Sequence, residues 1–319
     1  MEKEWERLQR LIGDVPPPDE GAMAAARARL ERLTKPPGSL GRLERLAERL
    51  AGMTGAMPPR LGRKVVAVAA ADHGVCEEGV SAYPREVTRQ MVLNFLAGGA
   101  AVNVFARHAG ADVVCVDMGV AEPVAAAELD AREGGNGAAL AAGGARFFAR
   151  RIGPGTANMA RGPAMTEEQA VRALEAGIEL AGRLADEGYG LLAVGEMGIG
   201  NTTAAAALTC ALLGVPASAA TGRGTGIGDA AFERKRSVVE RALAVNGLTG
   251  KKVEAGGAAA LAALARVGGF EIAGMAGLCL GAARRRVPVV IDGFISAAAA
   301  LAAVRLAPRT AGYLIASHR

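Results

Sequence analysis

The stretch Leu191-Leu192-Ala193-Val194-Gly195-Glu196-Met197-Gly198-Ile199-Gly200-Asn201-Thr202-Thr203 reads as an apolar strand feeding a glycine turn and then an alanine-rich helix. Glycine lets backbone approach a ligand closely, and the first amides of a helix have no acceptor within it, so such a turn suits an anion. Gly195 and Gly200 stand where the two glycines of a P-loop stand, but Asn201 takes the place of its lysine ahead of Thr202. A single phosphate carried on a small nucleotide, with Glu196 beside it, therefore fits better than a nucleoside triphosphate. A ligand-free αβ turn is the competing reading of this stretch taken alone.

Outward from this turn the same pattern recurs. Val65 to Ala71 ends at Asp72-His73-Gly74, Val113 to Val116 at Asp117-Met118-Gly119, and Val287 to Ile291 at Asp292-Gly293. Helical segments such as Glu86 to Ala97 and Glu167 to Glu187 follow. Continuous apolar strands alternating with helices predict an α/β fold, a parallel sheet covered on both faces. In such sheets ligands bind beyond the carboxyl ends of the strands, so the acidic and glycine-rich tips are expected to share one crevice. Residues 1–60 read instead as an N-terminal helical region ahead of an α/β domain over 61–319. Its apolar positions (Trp5, Leu8, Leu11, Ile12; Leu30, Leu33; Leu40, Leu43, Leu46, Leu50) have helical spacing, broken at Pro16-Pro17-Pro18 and Pro36-Pro37-Gly38. Ser39 is expected to cap the third of these helices, and Gly134 to Gly144 to form a surface loop.

Composition narrows the function classes. A chain of 319 residues with 51% hydrophobic content can bury a large core. With 44 glycines and 3% aromatics it offers close packing and few platforms for stacking nucleic-acid bases. The net charge is +5 and the pI about 9.3, yet the basic residues are interleaved with acids, as in Arg42 to Arg49. The one basic run, Arg284-Arg285-Arg286, is expected to be a solvated helix end. The four cysteines have no CxxC spacing, and the three histidines no metal-ligand spacing, so buried reduced thiols and no structural zinc are expected. The charged segment Met1 to Arg10 lacks the apolar core of a signal peptide, which makes the cytoplasm the expected location. Thr202 to Gly222, the longest uncharged segment, is built of small residues around Pro216 and reads as buried helix and loop rather than a membrane span.

Two further segments carry chemistry. Thr221-Gly222-Arg223-Gly224-Thr225-Gly226-Ile227-Gly228 is a second glycine loop, followed by Lys235 within Phe232 to Arg236. Its backbone and cations can neutralise a phosphate or carboxylate, although such cations are more often solvated. Asp72-His73-Gly74, with Ser81-Ala82-Tyr83-Pro84-Arg85-Glu86, has the makings of a dyad but no serine or cysteine nucleophile, and is read as pocket wall.

Together these motifs resemble the nicotinate-nucleotide:dimethylbenzimidazole phosphoribosyltransferase family. The resemblance is carried by Thr34-Lys35-Pro36-Pro37-Gly38-Ser39-Leu40-Gly41, by Ala71 to Val75 with Gly79 to Pro84, by Gly195 to Thr203, and by Thr221 to Gly226. Gly268 to Gly277, Asp292 to Ser296 and Ala316-Ser317-His318-Arg319 complete it. It implies a Rossmann-like parallel sheet covered by helices, with a small helical domain to which the N-terminal region and further C-terminal helices contribute. It also implies displacement at the anomeric carbon of nicotinate mononucleotide by a benzimidazole nitrogen, giving α-ribazole 5′-phosphate and nicotinate, in a cytoplasmic homodimer with no metal or redox cofactor and no nucleic-acid or membrane partner. By motif, Gly198, Gly200, Asn201, Thr202, Arg223, Gly224, Gly226, Lys235, Asp292 and Ser296 look like the grip on the nucleotide. Ser81, Tyr83 and Met91 look like part of the benzimidazole slot. Glu196 matches the acidic residue beside the phosphate turn, where a carboxylate can stabilise oxocarbenium-like charge or orient the base.

In the family the segment matching Ser317-His318-Arg319 continues to a glutamate that acts as general base. Either the 319 residues are a shortened form or activity is impaired, since losing a positioned general base is expected to cost on the order of a hundredfold or more in rate while much of the binding pocket remains. Two other classes compete: a non-catalytic nucleotide or aromatic-base binding protein of the same fold, and a magnesium-dependent phosphotransferase built on the near P-loop, against which the absent lysine argues.

Overall fold

The computed structural model describes residues 2–124, 132–134, 138–140, 144–250, 253–254 and 256–318. Among the described residues eight strands form one sheet: β1 (Arg63–Ala71), β2 (Ala111–Gly119), β3 (Arg132–Gly134), β4 (Ala138–Leu140), β5 (Arg146–Ala149), β6 (Tyr189–Met197), β7 (Val289–Ile291) and β8 (Leu314–Ala316), in the order β3-β4-β5-β2-β1-β6-β7-β8. The six from β5 to β8 are parallel; β3 and β4 extend the β5 edge antiparallel. The expected α/β sheet is thus present. A correction falls at Gly134 to Gly144, expected as a loop: Gly134 ends β3 and Ala138–Leu140 is β4, because backbone pairing with β5 holds even a Gly/Ala stretch extended. Residues 135–137 and 141–143 of that segment lie outside the described residues.

Both faces of the sheet are covered, and β1 shows why its sequence is unbroken apolar. Val65, Ala67, Ala69 and Ala71 join the larger core, while Val68 and Ala70 join a second core on the opposite face. The larger core receives α6 (Glu167–Asp186), α7 (Asn201–Leu213), α10 (Gly257–Val267), α11 (Phe270–Arg284) and α12 (Phe294–Leu306); Val92 and Phe95 of α4 (Val87–Leu96) and Ala106 of α5 (Ala101–Ala109) cover the other side. Two further helices, α8 (Ala217–Ala220) and α9 (Asp229–Val245), flank the second glycine loop.

Helices α6 and α11 cross with backbones almost touching. A Cβ on Gly177 would lie 2.1 Å from the Gly274 carbonyl oxygen, and one on Gly277 2.1 Å from that of Leu174. Only hydrogen fits there, so Gly277→Ala is expected to force the helices apart at a cost of about 1–3 kcal/mol. A lowered urea midpoint at unchanged slope is the expected observation, and an unmoved midpoint would contradict it.

The N-terminal region supplies α1 (Glu2–Ile12), α2 (Glu20–Glu31) and α3 (Arg42–Thr54). Leu8 and Ile12 of α1 are buried in the larger core, and Arg7 grips Glu175 of α6 with two hydrogen bonds of 2.8 and 2.6 Å. Ser39 does not cap α3, contrary to expectation. Turns carry the chain on to Gly41, which is the capping residue, and the Leu40 amide donates instead to Glu44 Oε1 at 3.1 Å. The basic run at the end of α11 is partly engaged: Arg284 donates to the Leu11 carbonyl and Arg285 pairs with Asp186. All four cysteines are free, and no described helix is long and apolar enough to cross a membrane.

Candidate active site

Strand register brings the tips to one edge. Ala69 pairs with Glu196, Ala70 with Asp117 and Met197, and Ala71 with Gly119. Val194 pairs with Ile291, and Ile291 with Ala316. Asp72, Gly198 and Asp292 therefore leave the sheet side by side, as expected of a crevice at the carboxyl ends.

The glycine turn is held by its own backbone and by neighbours from two other segments. Gly200 takes φ +92°, open to glycine but not to L side chains, and a Cβ there would stand 2.7 Å from Cys76 Sγ. Asn201 N donates to the Gly198 carbonyl at 3.0 Å. The Ile199 amide donates to the buried Thr88 Oγ1 of α4 at 3.1 Å, and Cys76 Sγ donates to the Ile199 carbonyl at 2.9 Å. Burial pushes the Cys76 thiol up to about 11, so it serves as a neutral donor.

Glu196, at the end of β6, accepts from Asn201 Nδ2. Burial raises its pKa to about 7 against that hydrogen bond, with Glu271 adding to the rise and His73 opposing it. Lys235 projects from α9 and is 1% exposed. Its Nζ donates to Thr202 Oγ1 at 2.7 Å, and among the described residues it has no carboxylate partner. Burial lowers its pKa to about 8. A desolvated ammonium beside a helix N-terminus is a strong demand for an anion. The second glycine loop closes over it, since a Cβ on Gly224 (φ +54°) would stand 2.9 Å from both Lys235 Nζ and Thr202 Oγ1.

The remaining predicted residues divide. The Ala82 amide donates to Thr225 Oγ1 at 3.2 Å, bringing the Ser81–Tyr83 segment against the Gly222–Gly226 loop. Tyr83 is 55% exposed, and Met91 packs against the smaller core, as does Met197. Arg223 is engaged within its own loop, donating to the Ile227 carbonyl at 3.0 Å and to Asp229 at 2.5 Å. Ser296 is buried, with its hydroxyl turned to the Val194 carbonyl at 3.2 Å. Asp292 is exposed; it accepts from Ser317 Oγ and lies 3.5 Å from His318 Nε2, whose ring nitrogen also accepts from Gly293 N at 3.1 Å. Arg319 lies outside the described residues.

Three residues escaped sequence reading: Thr88, Glu271, and His73 as more than pocket wall. His73 Nε2 lies 2.8 Å from Glu271 Oε1, both buried. The acidic tips and the lone carboxylate within otherwise apolar α11 were the available signal; Thr88, in the mixed sequence of α4, gave none.

A phosphoribosyltransferase family model matches residues 15–319. Proteins named nicotinate-nucleotide:dimethylbenzimidazole phosphoribosyltransferase match from Chloroflexus aggregans, 51% identical over 98% of this chain and 82% of that protein, and from Roseiflexus sp., 52% identical with the same coverage. A crystal structure of CobT from Thermus thermophilus superposes with a TM-score of 0.82 at 49% identity, covering 93% of this chain and 82% of that one. With half of all positions shared over nearly its whole length, this chain belongs to the nicotinate-nucleotide:dimethylbenzimidazole phosphoribosyltransferase family.

Proposed function

We propose that this protein transfers the phosphoribosyl group of nicotinate mononucleotide to 5,6-dimethylbenzimidazole, giving α-ribazole 5′-phosphate and nicotinate in assembly of the cobalamin nucleotide loop. The observation that carries the reading is Lys235, a buried ammonium with a hydroxyl partner and no described counter-charge, set where the glycine turn enters α7. A nucleotide phosphate is the complement of that arrangement. On this reading Gly198, Gly200, Asn201, Thr202 and Gly224 receive the phosphate, and Gly226, Arg223, Asp292 and Ser296, by motif, complete the grip on the nucleotide. Anchoring the phosphate fixes the anomeric carbon for in-line attack.

In the reaction a ring nitrogen of the benzimidazole bonds to C1′ as the C1′–nitrogen bond of the nicotinate breaks with inversion, its electron pair leaving on the nicotinate. The N–H proton of the entering ring passes to a general base, a duty that the resemblance gives to a glutamate in the family. Glu196 supports the step by facing developing sugar charge or orienting the base. Ser81, Tyr83 and Met91 frame the flat entering ring.

A mass-resolved assay with both substrates tests this reading, run on the 319-residue chain and on one extended by a family-like C-terminal segment. Matched appearance of α-ribazole phosphate and nicotinate from either supports it. Binding without turnover in both favours the non-catalytic binding protein, and turnover of a nucleoside triphosphate with magnesium favours the phosphotransferase.

The same reading includes a cytoplasmic homodimer with no nucleic-acid partner. Val104 and Phe105 of α5, 51% and 72% exposed, supply apolar surface for pairing. Cations engaged by acids, as in Arg27–Glu48, Arg63–Asp112 and Arg146–Glu187, leave less charge for a polyanion. Sedimentation at twice the 32.3 kDa chain mass is expected; a monomer at all concentrations would contradict the dimer.

A further inference from the structure

Beneath the phosphate turn sits a buried pair that the transfer reaction as described does not use. The His73 ring is wedged between two glycines. A Cβ on Gly198 would stand 3.3 Å from His73 Cδ2 and Nε2, and one on Gly269 2.4 Å from Cε1 and 2.7 Å from Glu271 Oε2. The imidazole is therefore packed tightly under the turn that follows Glu196, and against the start of α11 with room only for hydrogen at Gly269. Glu271 is fully buried, and its Oε2 has no hydrogen-bond partner among the described residues. A buried ionisable pair is a poor source of stability compared with apolar side chains of the same volume, so this one calls for a use.

We propose that His73 and Glu271 are positioning residues for the transfer: the pair braces the turn after Glu196 from below and sets the charge that the Glu196 carboxylate faces. The inference rests on the phosphoribosyl-transfer reading for its consequence, and on packing for its existence.

The groups that face this pair come from every neighbouring element. Asp72 lies at the end of β1, with Arg85 3.9 Å from its Oδ1. Glu196 faces it from β6, held by Asn201 of α7, and Cys76 stays a neutral thiol. Burial alone would lower the His73 pKa, but the charge and hydrogen bond of Glu271, with Asp72 and Glu196 behind them, outweigh it and leave the ring raised. On Glu196 the two partners act in opposite senses, Glu271 raising and His73 lowering, and Glu271 is the stronger. Removing either member should therefore move Glu196 in opposite directions, an outcome that loosened packing does not produce.

The test is a titration of the Glu196 carboxyl by carbon-13 NMR on the resting full chain, assigned by the signal lost in Glu196→Gln. Glu271→Gln is expected to lower its midpoint and His73→Gln to raise it. Shifts of one sign in both variants, or none, in proteins with native circular dichroism would overturn the proposal. Should either variant fail to fold, nitrogen-15 shifts of His73 in the unaltered chain decide: a mainly cationic ring at about pH 6.5, the ordinary histidine value, is expected, and a neutral one refutes the pair. In turnover, Glu271→Gln is expected to lower kcat about tenfold and displace the pH profile, with KM for nicotinate mononucleotide little changed. Absence of turnover in both the unaltered and the extended chain would count against the transferase reading and leave the titration result standing.

Discussion

Lys235→Met is expected to raise KM for nicotinate mononucleotide about ten- to a hundredfold, the roughly 1.5–3 kcal/mol typical of a hydrogen bond to a charged group, and at the same time to stabilise the fold. Both effects have one origin. Lys235 is held out of water beside Thr202 with no described acid to offset it, so its charge waits for the phosphate. Its pKa falls from 10.5 to about 8 on folding, so between those values the unfolded chain binds more protons and stability climbs with pH. Below pH 8 the deficit is complete, on the order of 3 kcal/mol. Methionine fills similar volume without the charge, so the variant should melt higher at about pH 7 and lose the rise between pH 8 and 10.5. A bound phosphate restores the favourable form of the ammonium. Nicotinate mononucleotide should then draw a proton into the native protein at about pH 8.5 and none into the variant, read by calorimetry in buffers of different ionisation enthalpy. An unchanged KM together with a lower melting temperature would make Lys235 a structural residue.

Much of this was legible in the chain. The strands that became β1, β2, β6 and β7 stand out as apolar runs closed by small or acidic tips, because a strand buried on both faces has no polar side to alternate. β5 and β8 were missed: Arg146-Phe147-Phe148-Ala149 begins with an arginine that leaves the sheet to pair with Glu187, and β8 has only three residues, held by pairing with β7. The site divides the same way. Glycine spacing marks the phosphate turn locally, but the burial of Lys235 within Glu233-Arg234-Lys235-Arg236, a segment that reads as a solvated face, depends on the second glycine loop folding over it. The pairing of His73 with Glu271 spans 198 positions and follows from the crossover that lays α11 under the β1 tip, which no local pattern records.

Glu196→Gln is expected to lower kcat/KM on the order of a hundredfold at about pH 8 and to erase an ionisation that the native enzyme shows near pH 7. The free-enzyme carboxyl titrates at about 7 because burial opposes its charge more than Asn201 supports it. A role in facing positive sugar charge needs the anion, so native kcat/KM should climb with pH through 7 and level off above it. The same displacement makes a statement about stability. Between its ordinary value of 4.5 and about 7 the folded state binds more protons than the unfolded chain, so stability falls as pH rises through that window. Glutamine removes the ionisation, so the variant should match the native protein at pH 4.5 and exceed it by about 1–3 kcal/mol at about pH 8. Chemical unfolding at the two pH values, set beside the rate profile, separates the cases. Slower turnover with greater stability at high pH marks a carboxylate kept for the reaction against the interest of the fold, whereas slower turnover with lower stability would mean that Glu196 serves by bracing Asn201 and the turn.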